Sequence, residues 1–250
     1  MIDIIITGAC GKMGKVIQSI VANRDDCRVV AGVDLYDDGQ RDFPVYKKFA
    51  EIKESADVVI DFSNPSVLDD MLEFGKSTNT PLVIATTGFD DCQKKQIADA
   101  SKDCPIFFTY NYSLGINLLV NLAKKATRIL GDEFDIEIVE QHHNTKIDAP
   151  SGTALMLADA IAEEFEKPMR YEYDRHSKRE KRSKDEIGIH SVRGGTIVGE
   201  HDIIFAGRDE IITLSHSARS KEVFAVGAVN AAVFMAGKDA GMYDMSQLVG

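Results

Sequence analysis

The chain has 250 residues, enough for one large or two modest domains with a real core, and is 44% apolar and 28% charged, the balance of an ordinary globular protein. Its 29 basic and 40 acidic side chains give a formal charge of −11, which argues against general nucleic-acid binding because that needs a basic footprint. No apolar run approaches the ~20 residues that span a bilayer, no basic-then-apolar leader opens the chain, and the four scattered cysteines form no CxxC pair, so the expectation is a cytoplasmic protein without a zinc site or disulfide framework.

The first element is Ile2-Asp3-Ile4-Ile5-Ile6-Thr7, a β-branched run of the kind buried in parallel sheets. Gly8-Ala9-Cys10-Gly11-Lys12-Met13-Gly14 follows, then a helical pattern through Val16, Ile17, Ile20 and Val21. Strand, glycine loop and helix together open a dinucleotide-binding βαβ unit. The spacing is GxxGxxG: Gly8 for the tight turn, Gly11 for approach to a pyrophosphate, Gly14 for close packing of helix on strand. Cys10, inside this loop, is read as a small turn filler. A second strand over residues 28–33 ends at Asp34, about 20 positions after the last glycine, where an acidic side chain binds the ribose 2′-hydroxyl. A carboxylate there repels a 2′-phosphate and favours NADH over NADPH; Lys12 and Arg41 are the cations able to soften that preference.

Strands and helices keep alternating. Strands are expected at 57–61, 81–85 and 106–108, with helices at 66–77 and 91–102, which gives an open parallel sheet with right-handed crossovers. Ligands lie beyond the carboxyl ends of such strands. Thr86, Thr87 and Gly88 close one strand and Thr109, Tyr110, Asn111 and Tyr112 the next, so these are candidate walls for the nicotinamide half. After a helix at 113–130 the pattern changes to strands at 134–141, 187–193, 198–206 and 210–216 with a helix at 151–165, a mostly antiparallel α+β layer. Residues 167–186, rich in arginine and lysine, read as a solvated, mobile loop. Arg193-Gly194-Gly195 reads as a turn, and His201 and His216 as structural or surface residues. The apolar helix at 221–237 can return to the nucleotide domain. The fold expected is a Rossmann-type α/β nucleotide domain (1–112 and 221–250) plus an α+β substrate and oligomerisation domain (113–220).

The stretch with the densest chemistry is Glu140 to Ala154, EQHHNTKIDAPSGTA. His142, His143 and Lys146 stand at a strand end just before the helix start Ser151-Gly152-Thr153, where free N–H groups bind anions. The acidic body thus carries a local positive island suited to a carboxylate substrate, with His142 or Lys146 able to donate a proton. With a dinucleotide domain, this predicts a reductase of a small anion.

GACGKMG, ATTGF, the YNYS segment, EQHHNTKIDAPSGTA and the final KDAGMYDM resemble the 4-hydroxy-tetrahydrodipicolinate reductase (dihydrodipicolinate reductase) family along essentially the whole chain. The resemblance implies reduction of 4-hydroxy-tetrahydrodipicolinate, with loss of water, by NADH or NADPH in lysine and diaminopimelate synthesis. It implies His142 as proton donor or acceptor, Lys146 as proton donor, and His143, Lys146, Gly152 and Thr153 as holders of the substrate carboxylates. Gly8 to Met13, Asp34, Ala85 to Thr87 and Thr109 to Tyr112 would line the cofactor, and a homotetramer would form through the second domain. Cys10 and Leu35 stand where members often have glycine and arginine, and the latter puts NADPH use in doubt. Two rivals stay open on the residues alone: another amino- or keto-acid dehydrogenase, or a redox sensor that binds NADH without turnover.

Overall fold

The computed structural model describes residues 1–249, in two units: Met1–Ser113 together with the chain from Glu222 onward, and Leu114–Lys221. In the first unit the chain runs β1 (Ile2–Thr7), α1 (Lys12–Val21), β2 (Cys27–Val33), β3 (Val45–Tyr46), β4 (Val58–Asp61), α2 (Leu68–Thr78), β5 (Leu82–Ile84), α3 (Asp91–Ala100) and β6 (Pro105–Phe108). The second unit is α4 (Leu114–Leu130), β7 (Asp135–His142), α5 (Gly152–Ala162), β8 (Arg170–Glu172), β9 (Glu186–Arg193), β10 (Gly199–Ala206) and β11 (Ile211–Ala218). The chain then rejoins the first unit through α6 (Glu222–Met235), β12 (Gly241–Tyr243) and α7 (Met245–Val249).

The first unit is a seven-stranded sheet ordered β12-β6-β5-β4-β1-β2-β3, parallel at every pairing. Its central strands are mainly apolar, as in Ile4-Ile5-Ile6, Val58-Val59-Ile60 and Leu82-Val83-Ile84, because helices cover both faces. Ile4, Ile6, Val58 and Ile60 pack with α1 and α6, while Ile5 and Val59 pack with α2 and α3. The strand order reverses between β1 and β4, so the ligand crevice of this architecture lies beyond Thr7 and Asp61. The edge strands β3 and β12 were not expected from sequence; at two and three residues they are too short to show a period.

The second unit is a five-stranded sheet ordered β11-β10-β7-β9-β8. The expectation of a mostly antiparallel layer needs correction. The β10 pairings are antiparallel, whereas β7–β9 and β8–β9 are parallel. The cause is the chain path: between β7 and β9 it crosses over through α5, and a crossover returns the strand in the same direction. Helices α4 and α5 bury Ile116, Leu119, Leu157 and Ile161 against Ile136, Ile138, Ile189, Ile203 and Phe205.

The basic segment 167–186 is also corrected, since it is not simply solvated. It contributes β8, and Arg182 turns inward to Glu137 (2.9 Å), Asp135 (3.2 Å) and the Ile136 carbonyl (2.8 Å). Arg175 pairs with Glu186 and Lys178 with Glu172. The cations neutralise acidic residues of neighbouring strands, which a linear charge count cannot reveal.

Gly14 tests how tightly the first unit is built. A Cβ there would stand 2.2 Å from the Gly8 carbonyl oxygen and 2.7 Å from that of Ala9. Gly14→Ala is expected to cost about 2 kcal/mol or more as overpacking, read as a lowered Tm. Gly152→Ala, where a Cβ meets nothing within 4 Å, leaves Tm nearly unchanged.

Candidate active site

Two groups of sequence-predicted residues are assembled, one in each unit. In the first, Gly8 adopts a φ of +77°, and a Cβ there would lie 2.5 Å from the Phe62 carbonyl oxygen. The loops after β1 and β4 therefore touch backbone to backbone. Gln18 clamps the turn from the side, its amide donating to the carbonyls of Ala9 (2.7 Å) and Gly14 (2.9 Å). Helix α1 starts at Lys12 with Gly11 as N-cap and no side-chain cap, so its dipole end remains available to a phosphate. Asp34 accepts the Cys10 N–H at 2.9 Å and the Tyr36 N–H at 3.2 Å. That carboxylate thus stands against the glycine turn, with lone pairs to spare for a ribose hydroxyl. A cradle that a Cβ would fill, a helix start and an acidic strand end together fit an adenine dinucleotide.

Among the other predicted walls, Ala85 and Thr86 are buried and Thr87 is exposed. Thr86 Oγ1 accepts the Ser63 N–H at 2.8 Å, which ties the loop after β5 to the loop after β4. Asn111 Oδ1 accepts the Ser113 N–H at 2.8 Å, and Thr109 and Asn111 interact at 3.5 Å. Tyr110 is exposed, whereas the Tyr112 side chain belongs to the core, its hydroxyl donating to the Ile84 carbonyl at 2.8 Å.

The second group is organised by Glu140, on β7, which has no exposed surface. Period-two alternation puts Glu140 and His142 on one face of the strand, and His142 Nδ1 meets Glu140 Oε2 at 2.6 Å. Arg193, which pairs in register with His142 across β7 and β9, grips the same carboxylate with two nitrogens at 2.8 and 2.7 Å. The Ser151 N–H donates to Glu140 Oε1 at 3.1 Å. One buried carboxylate therefore holds the imidazole of His142 and the start of α5 together. Burial by itself would raise the Glu140 pKa, but Arg193, then His142 and Ser191, hold it down to about 2.

Around this anchor, Ser151 caps α5 by accepting the Ala154 N–H at 3.1 Å, and the positive end of the helix dipole lies at Gly152 and Thr153. Lys146 Nζ donates to Asp148 at 2.8 Å, and His143 Nδ1 meets Thr145 Oγ1 at 2.7 Å. The turn at Gly194–Gly195 pins the intervening loop: Gly194 N–H donates to the His142 carbonyl at 2.9 Å and Asn144 N–H to that of Gly195 at 3.2 Å. Glu140 thus joins the His142 imidazole to the start of α5, and the loop between them carries His143 and Lys146, residue types able to hold a carboxylate and move a proton beside it.

Sequence reasoning missed several members of this assembly. Glu140 had a usable signal, two positions before His142 on an alternating strand. Arg193 had none, because only the β7–β9 register brings it in. His201 is a buried core residue whose Nε2 meets Ser151 Oγ at 3.1 Å and whose ring lies edge-on to His142 at 5.3 Å. Burial, helped by the nearby His142, depresses its pKa to about 4. A base with a depressed folded pKa stabilises the fold above its ordinary pKa of 6.5 and loses that contribution as pH falls through 4. Acid unfolding curves recorded between pH 6.5 and 4 are expected to be less steep for His201→Gln than for the parent protein.

Comparison with known proteins agrees with this geometry. Residues 2–112 match the family described as dihydrodipicolinate reductase, N-terminus, and residues 115–249 its C-terminus. A 4-hydroxy-tetrahydrodipicolinate reductase of Caldanaerobacter subterraneus subsp. tengcongensis is 52% identical over 249 residues, covering 100% of this chain and 98% of the relative. One from Clostridium novyi is 45% identical with the same coverage. Among solved structures, a dipicolinate-bound dihydrodipicolinate reductase from Paenisporosarcina sp. TG-14 superposes with a TM-score of 0.78 at 28% identity, covering 98% of this chain and 97% of the other. The glycine cradle, the Glu140-centred site and full-length identity above 50% lead to one assignment: the chain belongs to the dihydrodipicolinate reductase family.

Proposed function

We propose that the protein reduces 4-hydroxy-tetrahydrodipicolinate to tetrahydrodipicolinate, with loss of water, in lysine and diaminopimelate biosynthesis, using NAD(P)H with NADH preferred. The observation that carries this reading is the single carboxylate of Glu140, which binds both His142 (2.6 Å) and the Ser151 N–H at the head of α5 (3.1 Å). Proton chemistry and an anion seat are thereby fixed to one point, as a cyclic dicarboxylate requires. When bound, the reduced nicotinamide supplies the hydride.

The chain's own residues do the rest. Gly8 to Met13 and the start of α1 take the pyrophosphate, Asp34 the adenosine ribose, and Ala85 to Thr87 with Thr109 to Tyr112 the nicotinamide half. His143, Lys146, Gly152 and Thr153 hold the substrate carboxylates. Glu140 accepts Nδ1–H of His142, which orients the ring and leaves Nε2 for proton exchange with substrate, while the Lys146 ammonium donates a proton. Asp34 supports the NADH preference because a carboxylate repels a 2′-phosphate, and Leu35, in the position that follows, carries no charge. We further infer a cytoplasmic homotetramer assembled through the second unit's sheet, on the face opposite α4 and α5, where Val192 is 43% and Ile211 69% exposed. Among the described residues no helix is long and apolar enough to cross a membrane.

His142→Ala and Lys146→Ala are each expected to slow turnover by about 10²-fold or more while NADH binding persists; unchanged rates in both would refute the roles. Asp34→Ala is expected to weaken NADH more than NADPH in parallel binding titrations, and equal losses would remove Asp34 from the ribose site.

A further inference from the structure

A second buried carboxylate lies in the first unit and takes no part in the mechanism above. Asp61 ends β4 at the point where the strand order reverses, and is 1% exposed. Its Oδ1 accepts the Ser63 hydroxyl at 2.5 Å, and Ser63 in turn donates its N–H to Thr86 Oγ1 at 2.8 Å. Its Oδ2 is buried with no hydrogen-bond partner among the described residues, and so is Oγ1 of Thr7, its register partner on β1. Asp61 therefore sits where three strand ends meet, below the Phe62–Ser63 backbone that touches Gly8. Two buried oxygens without partners, on residues paired in register, call for a reason, since a buried polar atom left without a hydrogen bond is destabilising. Asparagine or serine would make the Ser63 bond without burying a charge.

We propose that Asp61 is a positioning residue of the cofactor site, whose carboxyl joins the glycine turn to the Thr86 loop and takes up a proton when the anionic dinucleotide binds. The inference rests on the dinucleotide reading above. Burial, opposed by the Ser63 and Thr86 hydrogen bonds, raises the Asp61 pKa to about 6, so near neutral pH the free protein holds an ionised carboxylate in a desolvated place. A pyrophosphate on the adjoining turn adds negative charge and favours the protonated form. By linkage, a ligand that raises this pKa binds more tightly as pH falls toward 6, and the gain levels off once the free protein is itself protonated. The titratable neighbour is Tyr112, whose phenol is pushed far up by burial and by Asp61; by strand alternation Asp61 shares its face of the sheet with Ile5 and Val59, to which α2 and α3 present apolar Leu68, Met71, Leu72 and Ile97. Asp61 makes no ion pair among the described residues.

Calorimetric titration of the full chain with NADH, in two buffers of different ionisation enthalpy between pH 5.5 and 8, counts the protons exchanged. The parent protein is expected to take up a proton fraction that grows above pH 6, with Kd rising by up to ~10-fold per pH unit. Asp61→Asn keeps the Ser63 bond and is expected to bind NADH with that component gone, its KM for NADH losing pH dependence. Equal proton uptake in the two proteins, or none in the parent, overturns the proposal. If Asp61→Asn fails to fold, infrared difference spectra of the parent decide: a carboxylic-acid carbonyl band that appears with NADH supports the proposal, and its absence overturns it. A parent that does not bind NADH at all refutes the function proposed above; binding and turnover with no Asp61-dependent proton refute only the present inference.

Discussion

A carboxylate with no exposed surface stays charged inside a protein only if its neighbours replace the water it has lost. Glu140 meets that condition with the Arg193 fork, the His142 ring and the Ser151 N–H. Each partner comes from a different stretch of chain, so the ion cannot be satisfied unless β7, β9 and the start of α5 are all in place. The same constraint makes the site rigid. Removing any partner leaves charge stranded in a dry interior, and each therefore holds the others in position.

The remaining features follow from this anchor and from the glycine turn. The molecule carries a charge of −11, yet its candidate chemistry needs an anion seat. The conflict is resolved locally, because Arg193 neutralises the buried Glu140 carboxylate. The α5 terminus adds a positive dipole end that needs no further cation. In the first unit the start of α1 likewise has no side-chain cap, and the Asp34 carboxylate is hydrogen-bonded against the glycine turn beside it.

How much of this could be read from sequence depended on how local each signal was. The first strand, the glycine turn and the first helix lie consecutively, and the fold has them where their periods placed them. His142, Lys146 and Ser151 to Thr153 fall within twelve residues and could be read as one motif. Arg193 reaches Glu140 across 53 positions, through a register that no local pattern encodes. His201 is seated by pairing with Glu140 on the adjacent strand. The direction of β9 depended on the path through α5, not on strand composition, and this is why the second sheet was read as more antiparallel than it is. Arg182 looked like part of a solvated charge run because its partner Glu137 lies 45 residues away. Asp61 was read only as the end of a strand, since burial and a missing partner are properties of the folded chain.

The arrangement at Glu140 can be tested without substrate or cofactor. Nitrogen-15 spectra of histidine-labelled protein distinguish the two neutral imidazole tautomers. With the Glu140 carboxylate accepting from the ring, neutral His142 is predicted to carry its proton on Nδ1 and to move toward a mixture of tautomers in Glu140→Gln. A His142 signal with the proton on Nε2 in the parent protein would contradict the account.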